Sequence, residues 1–273
     1  MPPSEGARPV AATLMPFDGA PGPAERAVAV EAPVSLVFSS VPFAVMMATP
    51  TELEDFAFGF SLTEGVIGRA DDIRGVSVEQ EERGWRLEIN LAPQRLHVHL
   101  ARRRVLSGRT GCGICGIEDL DALPAAAAPA GPAPEVEVTA IRRALLALEE
   151  GQELNRATRA VHAAAFAAPD GTILHLREDV GRHNALDKLV GALLRRATPP
   201  AAGFVLVTSR CSFEMVEKAA AIGARTIVAI SAPTSLALDR ARALDMTLVA
   251  VARRDSITVF HGAERVRGEV LPA

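Results

Sequence analysis

Hydrophobic positions along this chain change period several times, and each change marks an element. Val34, Leu36 and Phe38 alternate with smaller or polar neighbours, and Phe43 to Met47 is a short apolar run, so strands are predicted between about 28 and 48. Thr51-Glu52-Leu53-Glu54 has the form of a capping box, and Leu53, Phe56, Ala57 and Phe60 follow at helical spacing, which predicts a helix over about 52–64. From 73 to 100 the period returns to two. Trp85, Leu87, Ile89 and Leu91 share a face after a turn at Arg83-Gly84, and Leu96, Val98 and Leu100 read as a further strand.

Residues 123–135 are almost entirely Ala, Pro and Gly, a linker composition that divides the chain. An α+β unit over 28–122 precedes it and an α/β unit over 136–273 follows. In the second unit Thr139 is placed to cap a helix through Ile141, Leu145 and Leu148, and 157–168 is ambiguous between helix and strand. Asp170-Gly171 reads as a turn between two strands. Beyond it, helices at about 184–196, 213–222 (ended by Gly223) and 235–244 alternate with apolar strands at 204–207 and 226–230 and further strands at 247–251 and 257–260. The alternation predicts a mainly parallel sheet covered on both faces.

Composition narrows the function. The chain has 273 residues, 49% of them hydrophobic, enough for a sizeable core. A formal net charge of -4, no tyrosine and one tryptophan argue against a nucleic-acid partner. No apolar run is long enough to span a bilayer, and three cysteines do not make a disulfide framework, so reduced thiols and a cytoplasmic setting are expected. The Pro-, Gly- and Ala-rich start, 1–27, lacks the order of a signal peptide and reads as a disordered arm.

Two loops follow apolar strands and precede helices: Thr208-Ser209-Arg210-Cys211-Ser212 and Ser231-Ala232-Pro233-Thr234. Hydroxyls and free N–H groups at a helix N-terminus cradle phosphate, and Arg210 adds a cation. Ordinary N-capping by Ser212 and Thr234 explains either loop taken alone. Glu178-Asp179-Val180-Gly181-Arg182-His183-Asn184 is dense in polar groups; His183 could bind a ligand or relay a proton, although a lone histidine is more often structural. His97 and His99 share a strand face and read as a solvated edge. His162 and His175 read as packing or surface residues, and His261 has no assignment.

The densest chemistry lies in Gly111-Cys112-Gly113-Ile114-Cys115-Gly116. Flanking glycines disfavour regular structure, so two thiols sit on a loop. Three readings compete. Zinc needs four ligands and the pair supplies two. A thioredoxin-like dithiol needs a strand–helix context that is missing. A persulfide carrier needs an exposed thiolate, which Arg102, Arg103, Arg104 and Arg109 would favour. A zinc deaminase is unsupported: glycine rather than proline precedes Cys112, and His175 and Glu178 have the wrong spacing for His-x-Glu.

Arg109 to Gly116 resembles the cysteine loop of the FdhD-type sulfur carriers, accessory proteins of formate dehydrogenase. Glu178 to Lys188, Ser212 to Lys218, Ser231 to Ala237 and Met46 to Pro50 are similar to further signatures of that family, in order, over about 28–266. The resemblance implies a protein that takes sulfur from a cysteine desulfurase and passes it to the molybdenum or tungsten bis(molybdopterin guanine dinucleotide) cofactor before its insertion into formate dehydrogenase. By family pattern Cys112 carries the persulfide and Cys115 assists, while Cys211 has no required role. The family's cofactor-binding stretch corresponds to Val251-Ala252-Arg253-Arg254-Asp255-Ser256, with Asp255 where glycine is commoner. With it the resemblance and the loops nominate His183, Ser209, Arg210, Ser231 and Thr234 as cofactor-binding, GDP as a mimic of the cofactor, and no metal site. It also implies a cytidine-deaminase-like fold without zinc in the C-terminal unit, and a homodimer. The alternative is a cofactor-binding chaperone that transfers no sulfur.

Overall fold

The computed structural model describes residues 6–96, 126–131 and 133–268. The cysteine pair, Arg102 to Arg104, Arg109, His97 and His99 lie outside the described residues.

The first unit is a four-stranded sheet in the order β4-β3-β6-β5, built from β3 (Ala32–Phe38), β4 (Val41–Ala48), β5 (Ile73–Glu81) and β6 (Gly84–Leu91). The period-two pattern sends Val34, Leu36, Phe38, Leu87 and Ile89 into one core, where they meet Leu53, Phe56 and Phe60 of helix α1 (Leu53–Thr63). The capping box does not form. Glu52 takes the N-cap position with φ 45° and no side-chain cap. Glu54 pairs with Arg195 instead, and the Thr51 hydroxyl accepts from Lys188 at 3.4 Å. Tertiary partners outcompete the local motif. Residues 93–96 are helical, with Leu96 N–H donating to Ala92 at 3.1 Å, so the strand expected from Leu96 does not begin there.

The arm is also corrected. β1 (Ala7–Leu14) and β2 (Gly22–Ala29) pair antiparallel, and buried Ala7 packs with Leu154 and Val161. Composition weighed the Pro and Gly residues and missed the small β-compatible runs on either side of the turn.

The second unit is a six-stranded sheet in the order β13-β12-β11-β10-β8-β9. Its strands are β8 (His162–Ala167), β9 (Ile173–Asp179), β10 (Phe204–Val207), β11 (Thr226–Ala229), β12 (Thr247–Ala250) and β13 (Thr258–His261). A short parallel pair, β7 (Val136–Glu137) with β14 (Val266–Arg267), ties its ends. The sheet is mixed rather than mainly parallel. Only β10–β11 and β11–β12 are parallel, whereas β8–β9, β8–β10 and β12–β13 are antiparallel. Short connections dictate this: the Asp170-Gly171 turn, with Gly171 at φ +86°, and the loop after Ala250 are too short for a parallel crossover.

Both faces are covered, as expected. Helices α4 (Arg182–Arg195), α5 (Phe213–Ala221) and α6 (Ser235–Ala243) pack on Ala164, Phe166, Val205, Val207, Ile227 and Leu248. Helix α2 (Val138–Gly151) packs on the alternate residues Ala163, Ala165, Phe204, Leu206, Val228 and Val249, and the short α3 (Glu153–Thr158) follows it. Thr139 falls inside α2, whose N-cap is Glu137.

Helices α1 and α4 join the two units at close range. A Cβ on Gly59 would stand 1.7 Å from the Asp187 carbonyl oxygen, and one on Gly191 would stand 1.8 Å from that of Asp55. Only glycine permits that backbone approach. Among the described residues no helix is long and apolar enough to cross a membrane.

Candidate functional site at one edge of the sheet

Strands β9, β10, β11 and β12 all end at one edge of the sheet, and β8 begins there, since His162 pairs with Asp179 and Val207 with Ala164. Ligands of open α/β sheets collect at such an edge. The loops after β10, β11 and β12 lock to one another. Cys211 N–H donates to Ala232 at 3.2 Å, Thr234 N–H to Cys211 at 3.0 Å, and Val251 N–H to Ser231 at 3.2 Å. Val251 has φ 50°, unusual for a β-branched residue, and cost of that kind persists where the surroundings impose it.

The structure therefore gathers Ser209, Arg210, Ser231, Thr234 and Val251 to Ser256. Their side chains divide by availability. Thr234 caps α6, accepting from Ala237 N–H at 3.3 Å. Ser209 is buried and its hydroxyl donates to the Arg210 carbonyl at 3.0 Å. The Arg253 guanidinium donates to the carbonyls of Ile230 and Ala252, which braces two loops. Arg254 is committed to Glu149 of α2 at 2.6 Å, and Ser256 donates to Asp255 at 3.2 Å. Ala252 is buried, with its N–H on Ala229 at 3.2 Å. Arg210 is exposed, and its side chain forms no ion pair among the described residues.

Ser212 does not cap α5, contrary to the simple capping reading: its Oγ is buried with no hydrogen-bond partner. Cys211 is fully buried, and burial pushes its thiol up to about 12, so it stays protonated and unreactive.

His183 lies beyond β8, at the end of β9. Burial pushes its imidazole down to about 4, helped by the Arg182 and Lys218 cations and by His162 and opposed by Glu214. It is neutral at physiological pH, and its Nε2 is buried without a partner. Arg182 shares that condition at Nε. Sequence reasoning placed Ser212 in a phosphate-suited loop with capping as the competing reading, and did not single out Arg182. A signal for Arg182 was present: it is a cation at the first position of a helix, where the dipole favours an anion.

The rest of the Glu178–Lys188 stretch is scaffold. Lys188 and Asp179 pair at 2.7 Å, both fully buried, and Lys188 also donates to the Thr49 carbonyl at 2.9 Å. Asp179 accepts from the N–H groups of Thr49 at 3.0 Å and Gly181 at 2.8 Å, and from Asn184 at 3.0 Å. Asp187 meets Lys218 at 2.8 Å and the Thr63 hydroxyl at 2.7 Å. Burial would raise the Asp55 carboxyl, but Arg177 and Arg195 outweigh it and hold the group below its ordinary value.

Cys112 and Cys115 lie outside the described residues, but the chain on both sides is fixed. Arg95 holds Asp72 at 2.8 Å on the first unit. Ala126 N–H donates to Glu217 at 2.5 Å, and Arg240 to the Ala126 carbonyl at 2.7 Å, on the second. A cavity of about 420 Å³ lies elsewhere, lined by Thr51, Glu52, Glu153 and Glu178 among others; its carboxylates do not suit a phosphate.

The profile of the FdhD/NarQ family matches residues 29–267. A sulfur carrier protein FdhD of Xanthomonas euvesicatoria is 44% identical over 239 residues, 88% of this chain and 85% of its own. Another from Bordetella petrii is 42% identical over 240 residues, 88% of this chain and 86% of its own. The crystal structure of a protein assigned as a formate dehydrogenase accessory protein from Desulfotalea psychrophila superimposes with a TM-score of 0.75 at 25% identity, over 96% of this chain and 99% of that one. With the profile spanning both sheets and relatives of this identity, the chain belongs to the FdhD/NarQ family.

Proposed function

We propose that the protein is a cytoplasmic sulfur carrier that serves formate dehydrogenase. Cys112 accepts sulfane sulfur from a cysteine desulfurase, and the sulfur passes to a molybdenum or tungsten bis(molybdopterin guanine dinucleotide) held at the sheet edge, before that cofactor enters the dehydrogenase. The observation that carries this reading concerns the third cysteine. Of the three thiols, Cys211 is sealed in the core and protonated, so any sulfur chemistry falls to Cys112 and Cys115.

Loading is a balanced exchange. The Cys112 thiolate attacks the outer sulfur of the desulfurase persulfide, forming Cys112–S–S⁻ and releasing the desulfurase thiolate. Attack by the Cys115 thiolate on the inner sulfur of Cys112 expels hydrosulfide and leaves a Cys112–Cys115 disulfide, which a cellular thiol reduces. Exposed Arg210 and the braced loops Ser231–Thr234 and Val251–Ser256 suit the pyrophosphate groups of the cofactor, and GDP serves as its mimic. A cytidine-deaminase-like C-terminal unit and a homodimer belong to the same proposal.

Intact-protein mass spectrometry after incubation with a cysteine desulfurase and cysteine tests it. The wild type is expected to gain one sulfur, Cys112→Ala to gain none, and Cys115→Ala to retain the adduct. A wild type without an adduct shifts the reading to a cofactor-binding chaperone.

A further inference from the structure

Buried polar atoms are normally paired, so an unpaired group calls for an explanation. Among the described residues Arg182 Nε, His183 Nε2 and Ser212 Oγ are shut off from solvent without a hydrogen bond. Three others, Arg225 Nε, Thr226 Oγ1 and Thr247 Oγ1, belong to the opposite edge, where β11 and β12 begin. There the Arg225 guanidinium is already held by Asp245 at 3.1 Å. Arg182 has no such partner, whereas the partly or fully buried Arg177, Arg195 and Arg240 each hold a carboxylate.

The three groups come together through the fold. His183 is within electrostatic reach of Glu214 and Lys218 on α5 and of Arg182 and His162. His162 in turn feels Arg182 and Asp179. Ser212 occupies the N-cap position of α5, and α4 starts at Arg182. Two helices thus open toward one place; α4 has no acidic residue in its first turn, and α5 has Glu214 in its own. Arg182 is half-buried with its Nε shut off from solvent, and a cation at the positive end of a helix is unfavourable by itself. Lys218 is neutralised by Asp187, and Glu214 is a carboxylate within electrostatic reach of His183. The unmet requirement is for acceptor oxygens carrying negative charge.

We propose that Arg182, His183 and Ser212 form a phosphate-sized oxyanion pocket at the adjoining N-termini of α4 and α5, which holds one phosphoryl group of the ligand whose remaining contacts are the β10–β12 loops. This rests on the cofactor-binding reading and extends it past β8 to the end of β9. Arg182 supplies the charge-assisted bond, Ser212 a hydroxyl donor, and His183 the neutral N–H that its buried setting imposes.

The test is calorimetric titration of the full chain with inorganic pyrophosphate, GDP and guanosine, for wild type, Arg182→Met and Ser212→Ala, with thermal unfolding alongside. Pyrophosphate and GDP are expected to bind the wild type, Arg182→Met to weaken both by roughly 10–100-fold, and Ser212→Ala by a few-fold. The unliganded melting temperature of Arg182→Met is expected not to fall, because that side chain has no bond to lose. GDP binding that ignores both substitutions overturns the pocket and leaves the nucleotide reading standing. Pyrophosphate binding that depends on Arg182, with no further affinity from GDP, supports the pocket and removes the nucleotide reading. A wild type that binds neither overturns both.

Discussion

The stretch from Glu178 to Lys188 contains two regions of opposite character. Asp179, Asn184, Asp187 and Lys188 are buried and bonded several times over, to Met47, Thr49 and Thr63 of the first unit and to Lys218 of the second. Arg182 and His183, at the start of the same helix, leave buried nitrogens unbonded. A polar-rich motif is therefore not one site. Helical geometry sends part of it inward to hold the two sheets together and leaves part at the sheet edge for a ligand.

The largest expected effect lies on the bonded side. Lys188→Met leaves Asp179 as a buried carboxylate without its cation, and removing one member of such a pair costs about 3–5 kcal/mol. Urea denaturation is expected to show a loss of that order, with the two sheets losing their mutual support. If the midpoint stays near that of the wild type, the pair is not the tie between the units, and the scaffold half of the comparison breaks.

The next effect lies on the unbonded side and follows pH. His183 has a folded pKa of about 4 against 6.5 for an unperturbed ring, so the unfolded chain binds the proton first. Stability contributed by the neutral ring is present above 6.5, falls as pH drops through that value, and levels off below about 4. The full loss amounts to about 3 kcal/mol. The surrounding charges are Arg182, Lys218, His162 and Glu214, and His162 is shifted the same way by burial and by Arg182. Comparing wild type with His183→Gln isolates the ring: the variant is expected to lose less stability between pH 7 and pH 5. Parallel pH profiles would place His183 in open solvent and weaken the pocket.

Much of the scaffold was legible in the sequence. Period-two runs located β3 and β6, continuous apolar runs located β10 and β11, and helical spacing located α1, α4, α5 and α6, because burial leaves a pattern in the residues themselves. Strand direction was not legible from alternation; it followed from the lengths of the connections after Ala167 and Ala250. The Thr51–Glu54 capping box was a true local motif that lost to Lys188 and Arg195, partners more than a hundred residues away that no local window contains. The hairpin from Ala7 was hidden by composition. At the site, the loops after β10 and β11 were legible as helix-capping, phosphate-suited segments, whereas the stretch after β12 was nominated by the family resemblance alone. The sequence did not show which hydroxyls remain free, because that depends on atoms converging from several loops.

Ser212 and Thr234 make that last point at its smallest scale. Each follows a parallel strand, precedes a helix, and has extended backbone at the N-cap, with φ -92° and -93°. By sequence they are the same device. Yet the Thr234 oxygen accepts from Ala237 N–H, whereas the Ser212 oxygen accepts from nothing. Removing a working N-cap costs about 1 kcal/mol, so Thr234→Ala is expected to lower stability by that amount in thermal unfolding. Ser212→Ala removes no cap and takes away a buried hydroxyl whose desolvation is uncompensated, so unliganded stability is expected to hold or rise slightly. Equal losses in the two variants would show Ser212 to be an ordinary cap, and the pocket at the start of α5 would lose its hydroxyl. A gap between them, with the Ser212 variant the more stable, is what a group kept free for a ligand produces: a stability cost in the empty protein that binding repays.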